Sequence, residues 1–336
     1  MASPPKRSDP ADLPLPPLEL ADRVGAVSGP NESLEPFLAF GHGVRVLIES
    51  VLPQTWSWEG RRVLDFGCGA GRVLRHFSPE SPNAQFVGCD IDAPSITWLR
   101  EHLCPPFQAF VNAETPPLAQ PTASFDLVYA VSVFTHITDE WSGWLLDLHR
   151  LLKEDGLLVA SVIGGGMSEE IAQEPWDPDR IGMNVLLRSR PWAEGGPNVL
   201  ISEWWLRAHW GRIFEVLQYW EFDGGQDLVL LRRRPVHASR EDLERPEPGE
   251  ARELEFLRHN VRQLHRESAG LREAAGLREA EGWARAAAEA QAELKGTRIK
   301  LARARARLVS LTGSASWRLT ALLRRARAGL RNPDEG

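Results

Sequence analysis

One string constrains this chain more than any other: Val63-Leu64-Asp65-Phe66-Gly67-Cys68-Gly69-Ala70-Gly71-Arg72. An apolar run ending in a carboxylate and followed by three alternating glycines reads as a strand, a tight turn and a helix. Bare backbone at a helix N-terminus lets a ligand lie close, and the amides and helix dipole there favour a carboxylate or phosphate. A dinucleotide fingerprint needs two residues between its second and third glycines. Here Ala70 alone separates Gly69 from Gly71, and Arg72 stands where a glycine is expected, which disfavours a nicotinamide cofactor. Asp65 argues the same way, because a carboxylate repels a pyrophosphate but accepts hydrogen bonds from an ammonium group. Asp90 ends the next apolar run, nineteen residues beyond Gly71, where a carboxylate can receive both hydroxyls of a ribose. Turn, Asp65 and Asp90 together call for a ligand with an amino acid at one end and a ribose in the middle.

From residue 61 short apolar runs alternate with amphipathic stretches, the pattern of βαβ units around a parallel sheet. Strands are expected at 62–66, 84–89, 107–111, 125–133 and 157–163, and helices at 94–103 (after Asp92) and 139–153, the latter ended by Asp155-Gly156. A Gly- and Pro-rich insertion, 164–200, precedes a helix at 202–210 and two closing strands, FEVLQYW and DLVLLRRR, with a turn at Gly224-Gly225. The fold class is α/β, doubly wound. Six prolines in the first seventeen residues make 1–28 a flexible leader; 29–234 is the globular domain and 235–250 a linker.

With these strings in place, the sequence resembles the class I S-adenosylmethionine-dependent methyltransferases over roughly residues 35–234. VLDFGCGAGR matches that family's first signature, GCDID its second, FVNAET the loop after the third strand, FDLVYAVSVFTHI the fourth-strand signature, and LLKEDGLLVASV the following helix, turn and strand. The resemblance implies a seven-stranded, mostly parallel Rossmann-like sheet with an antiparallel last hairpin, and S-adenosyl-L-methionine as cofactor. Asp65 and the backbone of Gly67, Cys68, Gly69 and Gly71 would hold its methionine part, Asp90 with Ile91 the ribose, Asn112 or Ala113 the adenine, and Val131 would line the methyl-transfer cleft. No Asn-Pro-Pro-Tyr type motif follows the fourth strand, so a base or amide nitrogen is the less favoured acceptor.

Methyl transfer from a sulfonium is an in-line displacement that neutralises charge, so holding the nucleophile collinear supplies most of the rate. For a hydroxyl acceptor a histidine base helps, and His136, just past the fourth strand, is the candidate catalytic residue; its structural alternative is a cap on the turn before Thr138-Asp139. Ser132 and Tyr129 share that edge. The insertion, with Trp176, Arg188 and Trp192, is expected to form a lid. Trp204 and Trp205 read as core first and as a stacking platform second. Cys68, Cys89 and Cys104 form neither a disulfide framework nor a metal-ligand spacing, and no metal is expected.

Charge is unevenly divided. Residues 1–239 hold 19 basic against 31 acidic residues (net −12) and 240–336 hold 20 against 15 (net +5), giving the overall −7. Leu254, Leu257, Val261, Leu264 and Leu271, then Leu294, Leu301 and Leu308, repeat on a heptad, so 251–312 is expected to be coiled coil. The tandem hexapeptide AGLREA, with Gly270, Gly276 and Gly282, should break its register. A basic amphipathic tail, 313–336, follows; its SASWRLTALLR resembles a short C-terminal motif of bacterial surface-polysaccharide enzymes, which implies a glycan acceptor. Self-association through the coil is the first expectation for this half and docking on an anionic membrane surface the second. Nucleic acid is disfavoured by the lack of a base-reading module. The chain shows no apolar run of membrane-span length and no secretory leader, so a cytoplasmic location, at most peripheral to the membrane, is expected. Two rivals remain: a methyltransferase-like binding or scaffold protein acting through its coil, and the disfavoured NAD-dependent oxidoreductase.

Overall fold

A computed structural model describes residues 10–23, 33–172, 175–277 and 281–313. The chain divides into two compact units, Met1–Pro178 with Gly182–Arg245, and Asp179–Ile181 with Pro246–Gly336.

The first unit is built on a seven-stranded sheet of β1 (Arg62–Phe66), β2 (Gln85–Asp90), β3 (Gln108–Val111), β4 (Phe125–Ala130), β5 (Leu152–Val162), β8 (Phe214–Trp220) and β9 (Asp227–Arg233), in the order β3-β2-β1-β4-β5-β9-β8. The first five run parallel; β9 pairs antiparallel with β5 and β8. This is the topology the sequence resemblance implies, and the order reverses between β1 and β4, the crevice where such sheets bind ligands. Every residue of β4 is buried, as is β1 after its first residue, which is why both read as unbroken apolar runs. One sheet face packs Val63, Leu127, Tyr129 and Val159 with Ile48 and Val51 of α2 (Glu35–Val51) and Ile96 and Leu99 of α3 (Ala93–His102). On the other, Phe66 meets Trp144 of α4 (Trp141–Leu151), ring centroids 4.9 Å apart. Asp92 caps α3 by accepting from the Ser95 N–H at 3.0 Å, with Pro94 in the first turn.

Four features depart from the sequence reading. The glycine turn runs not into a regular helix but into turns and a short 3-10 segment, Leu74–Phe77, so no α-helix dipole is aimed at the turn. Within the expected flexible leader, residues 10–23 include α1 (Leu18–Asp22), with Ala21 buried, and the fully buried Arg75 donates to the carbonyls of Leu13 (2.6 Å) and Pro14 (2.9 Å). The expected linker contains α7 (Arg240–Glu244), whose Leu243 is buried and whose Leu243 carbonyl bonds His209 Nδ1 at 2.6 Å. The insertion holds α5 (Gly165–Ala172) and an antiparallel pair, β6 (Met183–Leu186) with β7 (Asn198–Ile201), followed by α6 (Glu203–His209). Trp205 of α6 is core, stacked on His209 at 4.3 Å.

The second unit is helical: α8 (Arg252–Leu277) and α9 (Glu281–Gly313) pack on one another, and Arg298 bonds His265 Nε2 at 2.8 Å. Gly270 and Gly276 lie within α8 and Gly282 within α9; residues 278–280, in the tandem repeat where the sequence predicts a register break, lie outside the described residues. The basic tail from residue 314, like residues 1–9 and 24–28 of the leader, lies outside the described residues. No described helix is long and apolar enough to cross a membrane.

At the N-terminal edge of the sheet, buried Asp126 accepts from Arg61 Nη1 (2.9 Å), the Arg62 N–H (2.9 Å) and Lys153 Nζ (2.7 Å). Burial alone would raise its pKa, but Lys153, the Arg62 amide and Arg61 outweigh it and hold the carboxyl below its ordinary value. A depressed carboxyl stabilises the fold above its unfolded-state pKa, and that stability is lost as pH falls through the folded one. Asp126→Asn should therefore cost ~1–3 kcal/mol in urea unfolding at neutral pH, and the cost should shrink as the pH drops below about 4. A cost independent of pH would contradict this account.

Candidate active site

The turn after β1 is fixed by what its amides do. Gly67, Gly69 and Gly71 all take left-handed backbone, φ +84°, +52° and +79°, which side chains other than glycine rarely adopt. The N–H groups of Gly67 and Cys68 donate to the Cys89 carbonyl at 2.8 and 3.0 Å, that of Gly69 to Asp90 Oδ2 at 2.8 Å, and that of Gly71 to the Cys68 carbonyl at 2.9 Å. The amides of Gly67, Cys68 and Gly69 therefore clamp the turn onto β2 and that of Gly71 closes the turn on itself; none is aimed at a ligand carboxylate, as the sequence reading expects. What the turn offers is close approach. A Cβ at Gly67 would sit 2.3 Å from Val133 Cγ2, and one at Gly88 would sit 2.7 Å from Cys68 Sγ. Cys68 and Cys89 are buried and burial pushes both thiols up, so they act as small packing residues.

Asp65, at the end of β1, is 3% exposed, and its Oδ2 has no hydrogen-bond partner among the described residues. Burial pushes its carboxyl up to about 8; the Tyr129 hydroxyl and Arg72 pull downward, and Asp90 adds to the rise. Tyr129 pairs with Asp65 across the β1–β4 ladder and is fully buried, so it lies beneath the site and not in the cleft. Arg72 is the residue the sequence reading missed. Its guanidinium stands 3.9 Å from the Phe40 ring centroid, burial lowers its pKa to about 10, and Asp65 pulls it back up. A carboxylate and a cation within electrostatic reach of one another complement a zwitterionic amino acid. The signal in the sequence was a cation directly after the third glycine.

Asp90 accepts from the Gly69 and Asp92 amides, each at 2.8 Å, and burial raises its pKa against those bonds. Beside it the rim carries Ile91, 40% exposed, and Val111, 44% exposed, two apolar side chains at the ends of adjacent strands. Asn112 donates its N–H to the Asp90 carbonyl at 3.0 Å and keeps a buried Oδ1 without a partner; Ala113 follows, exposed. The edge thus brings together Asp65, Asp90, Ile91, Asn112 and Ala113 as read from the sequence, with Val111 added. Val131, partly buried, packs on the core cluster.

Across the crevice, Val133 lies on Gly67, and His136 stands one turn further on, its N–H bonded to the Val133 carbonyl at 3.0 Å. His136 Nδ1 contacts the Pro197 carbonyl at 2.7 Å. A carbonyl accepts only from N–H, which places the proton on Nδ1 and a lone pair on Nε2. Burial lowers its pKa, the Pro197 bond opposes and Arg190 adds, so the ring is neutral at pH 7. The insertion is not loose here. The Val199 N–H donates to the Thr135 carbonyl at 2.7 Å, Arg188 pairs with Asp139 at 3.0 Å, and the Trp192 ring meets His136 edge-on at 5.8 Å. Ser132 takes a left-handed φ of +58°, donates its N–H to Ser161 Oγ at 2.7 Å, and both hydroxyls donate to Gln226 Oε1.

Residues 64–158 match the methyltransferase domain family. The ubiquinone biosynthesis O-methyltransferase of Rhodopseudomonas palustris is 31% identical over 110 residues, 31% of this chain and 41% of that protein. The mitochondrial arginine-hydroxylase NDUFAF5 of Danio rerio is 30% identical over 102 residues, 30% of each chain. The matched segment thus spans less than half of either relative. Among solved structures, an S-adenosylmethionine-dependent methyltransferase from Mesorhizobium loti superposes with a TM-score of 0.41 at 18% identity, covering 56% of this chain and 96% of that one. The cofactor indicated is S-adenosyl-L-methionine, and the residues present fit it: the buried Asp65 carboxyl, its Oδ2 without a partner among the described residues, and the Arg72 cation for the amino-acid end, Asp90 for the ribose, and Ile91, Val111 and Asn112 for the base.

Because Asp65 holds a proton at neutral pH and an ammonium group calls for the carboxylate, ligand binding should expel that proton. Calorimetry of S-adenosylmethionine binding near pH 7, in two buffers of different ionisation enthalpy, should show release of close to one proton, with affinity rising from about pH 6 to 8. Asp65→Asn should abolish the release and weaken binding about tenfold or more. Proton release that survives the substitution would assign the effect to another group.

Proposed function

We propose that this chain is an S-adenosylmethionine-dependent methyltransferase that methylates a hydroxyl of a sugar, a glycan or another small molecule. The observation that carries the reading is the buried Asp65 carboxyl, its Oδ2 without a partner among the described residues, beside a turn that Asp90 clamps in left-handed backbone. When bound, S-adenosylmethionine supplies a methyl group on a sulfonium, whose displacement neutralises charge. The residues then have positional tasks. Asp65 and Arg72 would hold the amino-acid end and Asp90 the ribose, at the crevice between β1 and β4.

The hydroxyl preference rests on His136. Its neutral ring, held by Pro197 with the lone pair on Nε2, can take the proton that an acceptor oxygen sheds. A sugar acceptor is supported by the exposed Trp192 ring beside His136, a flat apolar surface of the kind sugar faces stack on, and by the glycan-enzyme likeness of residues 314–324, which lie outside the described residues. The heptad leucines Leu294 and Leu301 are taken up where α9 packs on α8 within one chain, so self-association would need another face of these helices. One relative bears a hydroxylase name, so the domain alone does not fix the reaction.

Two measurements test this. Titration should show heat with S-adenosylmethionine and none with NAD, and S-adenosylhomocysteine should accumulate when the protein is supplied with a surface-glycan extract. His136→Ala should lower that turnover ~100-fold or more while leaving cofactor affinity within about twofold. Unchanged turnover would remove His136 from the chemistry. Cofactor binding without product from any acceptor would favour a binding or scaffold protein.

A further inference from the structure

Helix α9 carries two apolar stripes, and among the described residues one is buried and the other exposed. Ala290, Leu294, Leu301 and Ala304 are buried where α9 packs on α8. Ile299, Ala302, Ala306 and Val309 step by three, four and three residues, so they too form one line along a helix, turned well away from the first. All four are exposed, Ile299 at 46% and Val309 at 71%. Around this outer stripe the sequence is strongly cationic. Lys295, Arg298, Lys300, Arg303, Arg305 and Arg307 fall in thirteen residues without one acidic residue, and all six side chains are exposed.

A 3-4-3 apolar line ordinarily seeks a second helix, and the obvious partner is another copy of this chain. The flanking charges oppose that. With Ile299 and Ala306 at one core position and Ala302 and Val309 at the other, the positions bordering the seam are Arg298, Arg303 and Arg305. In a parallel pair, Arg298 of one copy would face Arg303 of the other; an antiparallel pair also sets arginine against arginine, and like charges there cost stability. Two alanines also make a shallow seam. A nucleic acid would use the cations but has no use for the stripe. A surface that is anionic and also accepts apolar side chains to a depth of a few ångströms uses both.

We propose that the outward face of α9 docks on an anionic phospholipid bilayer, with Ile299 and Val309 entering the interface and Arg303 and Arg305 meeting lipid phosphates. The proposal stands apart from the methyl-transfer reading and does not need it. Arg298 is already bonded to His265 and Arg307 has contacts of its own, so Arg303 and Arg305 are the cations to change.

The test is co-sedimentation of the full chain with vesicles of phosphatidylcholine alone and of phosphatidylcholine with about one part in three phosphatidylglycerol. A single-stranded oligonucleotide serves as the competing polyanion. The wild type should bind the anionic vesicles, ignore the neutral ones, and release as salt is raised to roughly 0.5 M. Arg303→Glu with Arg305→Glu should weaken vesicle binding by about tenfold or more, and Ile299→Ser with Val309→Ser should weaken it several-fold at unchanged charge. Circular dichroism checks that each variant keeps its helix content; all four positions are exposed. Failure of the wild type to bind anionic vesicles would overturn the proposal, as would vesicle binding that either double variant leaves intact. Oligonucleotide binding that needs the arginines but is indifferent to Ile299 and Val309, without vesicle binding, would reassign the face to nucleic acid.

Discussion

Two hydrogen bonds to one carboxylate hold the ligand edge of the first unit in place. Asp90 receives the Gly69 amide on one oxygen and the Asp92 amide on the other, each at 2.8 Å, so the glycine turn, the end of β2 and the start of α3 become a single rigid element. Burial works against the charge on Asp90, and the two amides offset that cost. The turn's amides are spent in this way, and of its three glycines Gly67 stays exposed where a ligand can touch bare backbone.

Asp65 is the counterpart. Placed at the end of the neighbouring strand and almost wholly buried, it has no amide to settle on, and its carboxyl is pushed up to about 8. A carboxyl whose folded pKa lies above its unfolded value costs stability as pH climbs between the two. The fold carries that cost, as the proposed binding role of this carboxyl would require. Arg72, held over Phe40, is close enough to temper the cost without removing it.

The parts of this arrangement that are legible in the sequence are those set by local chemistry. The β1 boundaries, the antiparallel closing pair, the Asp92 cap and the two carboxylates all follow from short-range pattern and turn spacing. The parts that are not legible depend on tertiary partners. Residues 10–23 look disordered by proline content, yet Arg75 gathers their carbonyls and Leu13 and Leu20 pack on the core. Likewise the segment holding α7 is polar by composition and is ordered by a capping box at Ser239 and Asp242 and by the burial of Leu243. The amides of Gly67 and Gly69 are indistinguishable in sequence from ligand-binding amides; only the position of β2 shows that they are taken.

The acceptor side of the crevice follows a different logic. At its rim the chain stores strain, since Ser132 is held left-handed without being glycine, a conformation that costs ~1–3 kcal/mol and persists only where its surroundings over-determine it. Those surroundings are present: Ser161 takes its amide, and Gln226, just before β9, takes both hydroxyls. Gln226 therefore has its carbonyl fixed by two donors, which orients its amide nitrogen as well. His136 is fixed in the same manner, by Pro197 from the insertion, with Thr135 locked by Val199. Since methyl transfer depends on alignment more than on acid–base power, an edge whose polar groups are each held by a second residue suits that chemistry better than a mobile lid would. Under the proposed function the insertion would form the crevice wall through β6 and β7, with β7 pinned to the sheet, and the choice of acceptor would lie in the side chains that wall presents.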